Sequence, residues 1–272
     1  MLLPILDPED PRIADYRDVR ERDLVGRQGR FMAEGEVVLR LLASHVDGEG
    51  RTAHGHRLLS LLLSEGQAER LGDVLGLLPP QLPVHVAGQG VMDRIVGFPI
   101  HRGILALGEA RTAPRAAELL ARLGEHALVV AVAGITNHDN MGGIFRNAAA
   151  FGADLVLLDA ASCDPLYRKA IRVSVGASLI VPFARLPDAA AIMSELEAAG
   201  VGVVALSPAG RERLSAMVPP PRVAALFGTE GPGLPDTVLA AARTVAIPMA
   251  PGFDSLNVAT TSGIVLHHLA GV

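Results

Sequence analysis

Short, continuous apolar runs recur through the second half of the sequence and limit the folds open to it. ALVVAVAGI begins at residue 127, ADLVLLD at 153, VGVVALS at 201 and RVAALFG at 222. Such runs lack polar alternation, which is typical of strands covered on both faces of a parallel sheet. SLIVPFARL predicts a further strand, and the segments between strands, such as GGIFRNAAAFG and DAAAIMSELEAAG, predict helices. The alternation predicts a parallel α/β domain over residues 125–272.

The first half has a similar alternation with shorter signals. RFMAEGEVVLRLLASH predicts a short strand or turn and then an amphipathic helix over residues 37–45. HRLLSLLLSE, LPVHVAG and GILALGEA predict strands, and GQAERLGDVLGLL predicts a helix. Another helix is predicted to begin near Asp10 and Pro11, because both residue types are frequent at helix starts. We therefore expect a small α/β domain over residues 1–108 and a linker that becomes helical over 109–124.

The composition fits a globular protein. Of the 272 residues, 50% are hydrophobic and 19% are charged, which provides a core and argues against a disordered chain. No apolar run approaches the roughly 18 residues that span a bilayer, and the N-terminus lacks the basic region of a signal peptide. A single cysteine, Cys163, excludes an internal disulfide and a cysteine-rich zinc site. We expect a cytoplasmic protein with neither a metal nor a membrane partner.

The charge balance bears on nucleic-acid binding. The net charge is −5 and the isoelectric point about 6.0, which disfavours non-specific coating of nucleic acid. Lys169 is the only lysine, so nearly all positive charge is arginine, whose planar guanidinium suits phosphate. A local arginine excess near the N-terminus is a candidate RNA contact, although a solvated helix face explains it equally well. These residues are Arg12, Arg17, Arg20, Arg22, Arg27 and Arg30.

Three glycine-containing loops follow predicted strands of the second half. They are ITNHDNMGG at 135–143, FGTEGPGLP at 227–235 and IPMAPGFDSLN at 247–257. Ligands of parallel α/β sheets bind beyond the carboxyl ends of the strands, where these loops are expected. None of the loops contains a Walker motif or GxGxxG, so the dinucleotide fingerprint is absent. This absence disfavours an NAD-dependent dehydrogenase.

Each loop taken alone also has an ordinary structural explanation. Gly228, Gly231 and Gly233 suit either a tight turn or the close approach of a ligand to the backbone. Ser255 stands where a helix N-cap is common. Arg146, one turn into a predicted helix, is compatible with a surface salt bridge.

Together, the three loops resemble the motifs of the SPOUT class of RNA methyltransferases, in its SpoU/TrmH branch. The family's first motif is Asn-Pro-x-Asn-x-Gly and a helix with one fixed arginine; the sequence has NHDNMGGIFRNAAAFGA. The second is Gly-x-Glu-x-x-Gly; the sequence has GTEGPG. The third is Ile-Pro-Met, five residues and Ser-Leu-Asn; the sequence has IPMAPGFDSLN. His138 and Thr229 depart from the residues usual in the family without removing its polar groups.

The resemblance covers residues 125–272 and implies a fold and an activity. Members of this family methylate ribose 2′-hydroxyls with S-adenosylmethionine, held bent in a pocket formed by a deep trefoil knot. The first half more loosely resembles the family's ribosomal-protein-like substrate-binding domain. The resemblance thus implies an RNA substrate, rRNA or tRNA, chosen by residues 1–108. It also implies a homodimer in which the pocket lies against the partner subunit.

The resemblance further implies roles for particular residues. The residues expected to hold the methyl donor are Phe227, Gly228, Thr229, Gly233, Ile247, Met249 and Leu256. The residues expected to serve catalysis are Arg146, Asn140, Glu230, Ser255 and Asn257. In this interpretation Arg146 binds an RNA phosphate and stabilises the developing alkoxide. Asn140, Ser255 and Asn257 orient Arg146 or the ribose, and Glu230 holds Arg146 or Asn140 in place.

A non-catalytic RNA-binding relative of the same fold is the alternative function, and the presence of Arg146 and Glu230 argues against it. His54 and His56, in AHGH, lack a third ligand nearby and are interpreted as ordinary loop residues. Cys163 is interpreted as a buried structural thiol and not as a nucleophile.

Overall fold

The computed structural model describes residues 2–17, 25, 29–44, 46–95, 103–229, 231, 233–253 and 255–271. The chain divides into two compact units. The first comprises Met1–Thr112 together with Leu166–Leu179, and the second comprises Ala113–Pro165 and Ile180–Val272. Sequence analysis placed residues 166–179 in the second region, so the structural division differs from the expected one at this segment.

Strands and helices alternate along the described chain. The strands are β1 (Leu2–Ile5), β2 (Arg30–Glu34), β3 (Arg57–Ser64), β4 (Val84–Ala87), β5 (Ile104–Glu109), β6 (Ala127–Val132), β7 (Leu155–Asp159), β8 (Phe183–Leu186), β9 (Gly202–Leu206), β10 (Glu212–Arg213), β11 (Arg222–Phe227) and β12 (Arg243–Ala246). The α-helices are α1 (Glu36–Ala43), α2 (Glu65–Arg70), α3 (Gly72–Leu75), α4 (Gln89–Ile95), α5 (Ala116–Leu120), α6 (His138–Ala150), α7 (Arg168–Val173), α8 (Ala189–Ala198), α9 (Asp236–Ala241) and α10 (Val258–Ala270). None of these described helices has the length and apolarity to cross a membrane.

A mixed sheet forms the first unit, in the order β1-β4-β3-β5-β2 among the described strands. β1, β4 and β3 are parallel, whereas β5 pairs antiparallel with β3 and β2. Leu61, Leu62 and Leu63 in β3 are completely buried, so this central strand is covered on both faces. The predicted strands here are confirmed, while β1 was not predicted. Its sequence LLPI contains Pro4, which only an edge strand tolerates well.

The helix predicted near Asp10 is only partly present. A short 3-10 helix, Pro11–Tyr16, begins there, and the Asp10 carboxylate accepts a hydrogen bond from the Arg12 backbone N–H at 2.9 Å. At Arg17 the backbone is extended, with φ −89° and ψ 135°, so this helix ends. Residues 18–24, which follow, lie outside the described residues.

The candidate RNA-contacting arginines are partly neutralised within the first unit. Arg12, Arg17 and Arg30 each form an ion pair with an aspartate or glutamate of that unit. Exposed pairs of this kind contribute little to stability, but they offset positive charge that a phosphate would otherwise meet. The other three candidates, Arg20, Arg22 and Arg27, lie outside the described residues.

The segment Leu166–Leu179 is integrated into the first unit by charge and by close packing. Glu34, at the end of β2, has a side chain only 6% exposed, and its Oε2 lies 3.3 Å from Arg172 Nη1 of α7. Gly176 has a positive φ of 87° and lies against α1, where a Cβ would come within 2.5 Å of Leu41 Cδ2. A buried carboxylate needs such a partner, so α7 and β2 are energetically linked.

The strand predicted over SLIVPFARL is shorter than expected. Residues 177–179 form a 3-10 helix, and the strand begins only at Phe183. The Ser174 hydroxyl accepts a hydrogen bond from the Ser178 N–H at 3.3 Å, which favours a turn over an extended backbone. The apolar run therefore begins as a packed turn and becomes a strand only near its end.

The second unit contains a parallel sheet, ordered β10-β12-β9-β11-β6-β7-β8 among the described strands. Every neighbouring pair is parallel. All residues of β6 and β7 are buried, as expected for strands covered by helices on both faces. The predicted parallel α/β architecture is therefore confirmed. Sequence analysis missed β10 because two charged residues carry no strand pattern.

His56 is a buried, neutral side chain in the first unit. It is 2% exposed, its Nδ1 accepts a hydrogen bond from the Arg111 backbone N–H at 3.2 Å, and the Phe31 ring packs edge-on with centroids 5.4 Å apart. Burial, followed by the charges of Arg111 and His54, lowers the pKa of His56 from 6.5 to about 4. The imidazole is therefore part of the core of the first unit.

This pKa predicts a loss of stability in mild acid. The unfolded chain binds a proton at this histidine below about pH 6.5, whereas the folded chain does so only near pH 4, so the free energy of unfolding falls as the pH drops through that window. We expect a loss of about 2 kcal/mol between pH 7 and pH 5 from this group. Urea unfolding followed by circular dichroism measures it. His56→Gln should lack this part of the loss, while the exposed His126→Gln should retain it; a His56→Gln protein with the full loss contradicts the assignment.

Candidate active site

A cavity of about 420 Å³ lies in the second unit beyond the carboxyl ends of β9, β11 and β12. This is the edge of a parallel sheet where ligands bind. The residues expected to hold the methyl donor all line it, namely Phe227, Gly228, Thr229, Gly233, Ile247, Met249 and Leu256. Ser255 and Asn257, expected to serve catalysis, line it as well. The segments that follow β9, β11 and β12 thus form one cavity.

The loop after β11 is a tight turn that also forms one wall of the cavity. The Gly233 N–H donates to the Thr229 carbonyl at 3.2 Å, and Gly233 has a φ of 72°, which favours glycine. At Gly228 a Cβ would lie 2.6 Å from the backbone nitrogen of Leu234. Gly228 is therefore required to close the turn, in addition to leaving the cavity open. Glu230 lies outside the described residues.

An asparagine at the end of the loop before α10 caps the N-terminus of this helix. Asn257 Oδ1 accepts hydrogen bonds from the backbone N–H groups of Ala259 at 2.9 Å and Thr260 at 3.2 Å. The simpler interpretation of Ser255 as the N-cap is therefore wrong, because Asn257 stands at the first helical junction. Ser255 remains at the cavity wall.

The loop before α6 meets the loop before α10 through two amide side chains. Asn137 caps α6, with Oδ1 accepting from the N–H groups of Asp139 at 2.8 Å and Asn140 at 3.3 Å. Asn140 is buried, and its Oδ1 accepts a hydrogen bond from Asn257 Nδ2 at 2.8 Å. Asn140 itself does not line the cavity, but it is directly bonded to Asn257, which does.

Arg146 is exposed on α6. The salt bridge offered as its ordinary explanation is not present: within the described part of the chain, no hydrogen bond or ion pair involves its guanidinium. Arg146 is not among the residues that line the cavity. The side chain is thus available to an external anion.

Helices α6 and α10 pack very closely and fix the two loops relative to each other. A Cβ on Gly143 would lie 2.6 Å from Ala259 Cβ. Asn147 Nδ2 donates to the Ala259 carbonyl at 2.7 Å and to Ser262 Oγ at 2.8 Å. Small residues allow the contact, and the buried polar groups satisfy one another across it.

Metal and thiol chemistry find no support in the described residues. No group of three or more His, Cys, Asp or Glu side chains is placed there to hold a metal ion. Cys163 is half-buried, and burial followed by the charge of Asp164 raises the pKa of its thiol to about 11. A thiol protonated at neutral pH is a poor nucleophile.

Several cavity residues were missed by sequence analysis. They are Leu206, Ser207, Pro208, Val245, Val258 and Thr261. Ser207 and Pro208 directly follow β9, and the rule that ligands bind at the carboxyl ends of strands pointed to this loop as well. Its residues, SPAG, match no motif.

Comparison with known proteins identifies the family. Residues 127–267 match the model of the SpoU rRNA Methylase family. The chain belongs to the SpoU rRNA Methylase family. A Mycobacterium bovis protein named as an uncharacterized tRNA/rRNA methyltransferase is 36% identical over 97% of this chain and 90% of its own length.

Solved RNA methyltransferase structures match nearly the whole chain. An rRNA methyltransferase from Sinorhizobium meliloti has a TM-score of 0.78 and 25% identity, covering 98% of this chain and 97% of its own. A solved RNA 2′-O ribose methyltransferase has a TM-score of 0.76 and 25% identity, covering 98% of each chain. An AdoMet-bound structure of the Sinorhizobium meliloti rRNA methyltransferase shares the fold, with a TM-score of 0.77 and 24% identity over 98% and 97%. The SpoU resemblance seen in the sequence is confirmed, and RNA methyl transfer is the activity of the family.

Proposed function

We propose that this SpoU-family protein transfers a methyl group from S-adenosylmethionine to a ribose 2′-hydroxyl of rRNA or tRNA. One observation carries the proposal. The seven expected donor-binding residues surround a single cavity, and the bond between Asn140 and Asn257 joins that cavity to the helix bearing Arg146. The solved 2′-O ribose methyltransferase of similar fold supports the choice of the ribose hydroxyl.

The cavity suits the methyl donor that the family uses. Its volume of about 420 Å³ is within the range of pockets that enclose small-molecule ligands. Phe227, Ile247 and Leu256 supply apolar surface for an adenine ring, while the turn at Gly228 leaves backbone groups accessible to its edge. When bound, S-adenosylmethionine supplies an electrophilic methyl group on sulfur.

The acceptor side is assigned to α6 and the start of α10. Guanidinium groups remain protonated in proteins, so Arg146 is suited to bind a phosphate and stabilise negative charge on the attacking oxygen, and not to remove a proton. Asn140 and Asn257, fixed by their mutual hydrogen bond, orient the ribose, and Ser255 lies at the cavity wall beside them. Glu230 is proposed to hold Arg146 or Asn140.

RNA selection is assigned to the first unit. The ion-paired Arg12, Arg17 and Arg30 are weak candidates for contact with phosphate unless RNA displaces their carboxylate partners. The proposal therefore places more weight on shape recognition than on a basic surface. A relative that only binds RNA, the alternative function, would bind RNA through this unit without transferring a methyl group.

The proposal also includes a trefoil knot around the cavity. It further includes a homodimer. Apolar surface for the dimer is supplied by Ile264 on α10, 42% exposed, and by Val218, 78% exposed. We expect sedimentation at micromolar concentration to give a species of twice 28.4 kDa. A stable 28.4 kDa species under those conditions would contradict the dimer.

Substitution of Gly228 tests the donor site. The added Cβ of Gly228→Ala meets backbone atoms of the turn, so the cavity wall must move. We expect the affinity for S-adenosylmethionine, measured by calorimetry, to fall at least about tenfold, since one misplaced wall removes several contacts at once. Gly66→Ala, at an exposed position in α2 with open space around it, is the control and should bind as the parent does. If both variants bind S-adenosylmethionine with equal affinity, the assignment of the donor to this cavity is wrong.

Substitution of Arg146 tests the acceptor side. Arg146→Ala should leave donor affinity nearly unchanged, because the side chain does not line the cavity. Single-turnover methylation of RNA should slow by about 10² or more, as for the loss of one preorganised charge-stabilising donor. Arg146→Lys should recover little, because the planar fork is lost. The exposed Arg122→Ala is the matched control, and an Arg146→Ala protein within a few-fold of the parent rate would exclude Arg146 from the reaction.

A further inference from the structure

The backbone between β6 and α6 is held by side chains from the neighbouring strand. Past the end of β6, the N–H groups of Gly134 and Ile135 have left the sheet and need other acceptors. The Gly134 N–H donates to both carboxylate oxygens of Asp159, at 3.0 Å each. The Ile135 N–H donates to Ser162 Oγ at 3.0 Å, and the Cys163 N–H returns a bond to the Ile135 carbonyl at 2.8 Å.

Asp159 and Ser162 form one buried unit. Asp159, the last residue of β7, is 7% exposed, and Ser162 is 6% exposed. Asp159 Oδ1 accepts hydrogen bonds from the Ser162 N–H at 2.9 Å and the Ser162 hydroxyl at 2.6 Å. Arg185 closes the turn from outside by donating to the backbone carbonyls of both residues, at 2.7 and 2.8 Å. A carboxylate that accepts several N–H and O–H bonds is a strong and directional anchor.

The anchored backbone lies between the two halves of the site. Gly134 has a φ of 73°, and a Cβ there would lie 3.2 Å from Thr229 Cβ, in the wall of the cavity. Three residues later Asn137 caps the helix that carries Asn140 and Arg146. The position of Gly134 therefore sets both where α6 begins and how close that start lies to the cavity.

We propose that Asp159, acting with Ser162, is a positioning residue for methyl transfer. It fixes the Gly134–Ile135 backbone and thereby the placement of α6 against the donor cavity. This inference rests on the proposed function. The donor loop also has support apart from the Asp159 carboxylate, from its own turn and from the hydrogen bond that the Ala133 N–H donates to the Phe227 carbonyl at 2.9 Å.

Asp159→Asn tests the inference, since it keeps the size of the side chain but turns one acceptor into a donor that faces N–H groups. A matched control exists at the other end of the same strand pair, where Asp154 Oδ2 accepts from the Leu128 N–H at 2.9 Å. With donor and RNA saturating, Asp159→Asn should slow single-turnover methylation by about tenfold or more, because small misplacements of reacting groups are costly. Its affinity for S-adenosylmethionine should stay within about threefold, and Asp154→Asn should keep the parent rate within about twofold.

A second readout does not depend on activity. In Asp159→Asn, amide hydrogen exchange at Gly134 and Ile135 should accelerate about tenfold or more. In Ser162→Ala the same acceleration is expected at Ile135. In Asp154→Asn exchange at both amides should remain unchanged. Protection retained at both amides in Asp159→Asn overturns the inference. A methylation rate of Asp159→Asn within twofold of the parent rate also overturns it. The same holds if Asp154→Asn, at the same thermal stability as Asp159→Asn, loses as much of the methylation rate. If the parent protein methylates no RNA, the proposed function fails, and the exchange measurement alone decides whether Asp159 positions this backbone.

Discussion

Burial of the central strands on both faces is the constraint from which the rest of the second unit follows. β6 and β7 are buried at every position, and β11 at all but its first. Strands of this kind have no room for a polar side chain along their length, because an unpaired polar group there would be costly. Polar chemistry is therefore confined to the strand ends, and the cavity, the asparagine pair and Asp159 all lie at the carboxyl ends.

The close contact between α6 and α10 brings distant parts of the chain to this edge. Asn140 and Asn257 are 117 residues apart in sequence, yet their amides share a hydrogen bond. Gly143 allows the helices to approach, and Asn147 with Ser262 satisfies the buried polar groups between them. A larger residue at Gly143 would separate the helix starts as well as the helices. The small residues of the first motif thus have a packing role that its loop sequence alone does not reveal.

Sequence analysis predicted the elements with strong local signals and missed those that depend on tertiary contacts. The apolar runs at β6, β7, β9 and β11 define their own strands, and the residues of the second and third loop motifs that are expected to hold the donor line one cavity. β1 is a strand only because it pairs with β4, and SLIVPFARL begins as a turn because Ser174 bonds Ser178. Asp159 matched no motif, because its role depends on a backbone N–H group just past the end of β6 that needs a hydrogen-bond acceptor.

The placement of Leu166–Leu179 in the first unit has a consequence for how the protein could be inherited or rebuilt. The chain passes from the first unit to the second, back again and forward once more. No single cut separates them, because Ala170, Ile171 and Leu179, all buried in the intact chain, would be left without their apolar neighbours. Exchange of the first unit for another during evolution would have to replace two separate stretches of the gene together. The two units are therefore expected to diversify as a pair and not as interchangeable modules.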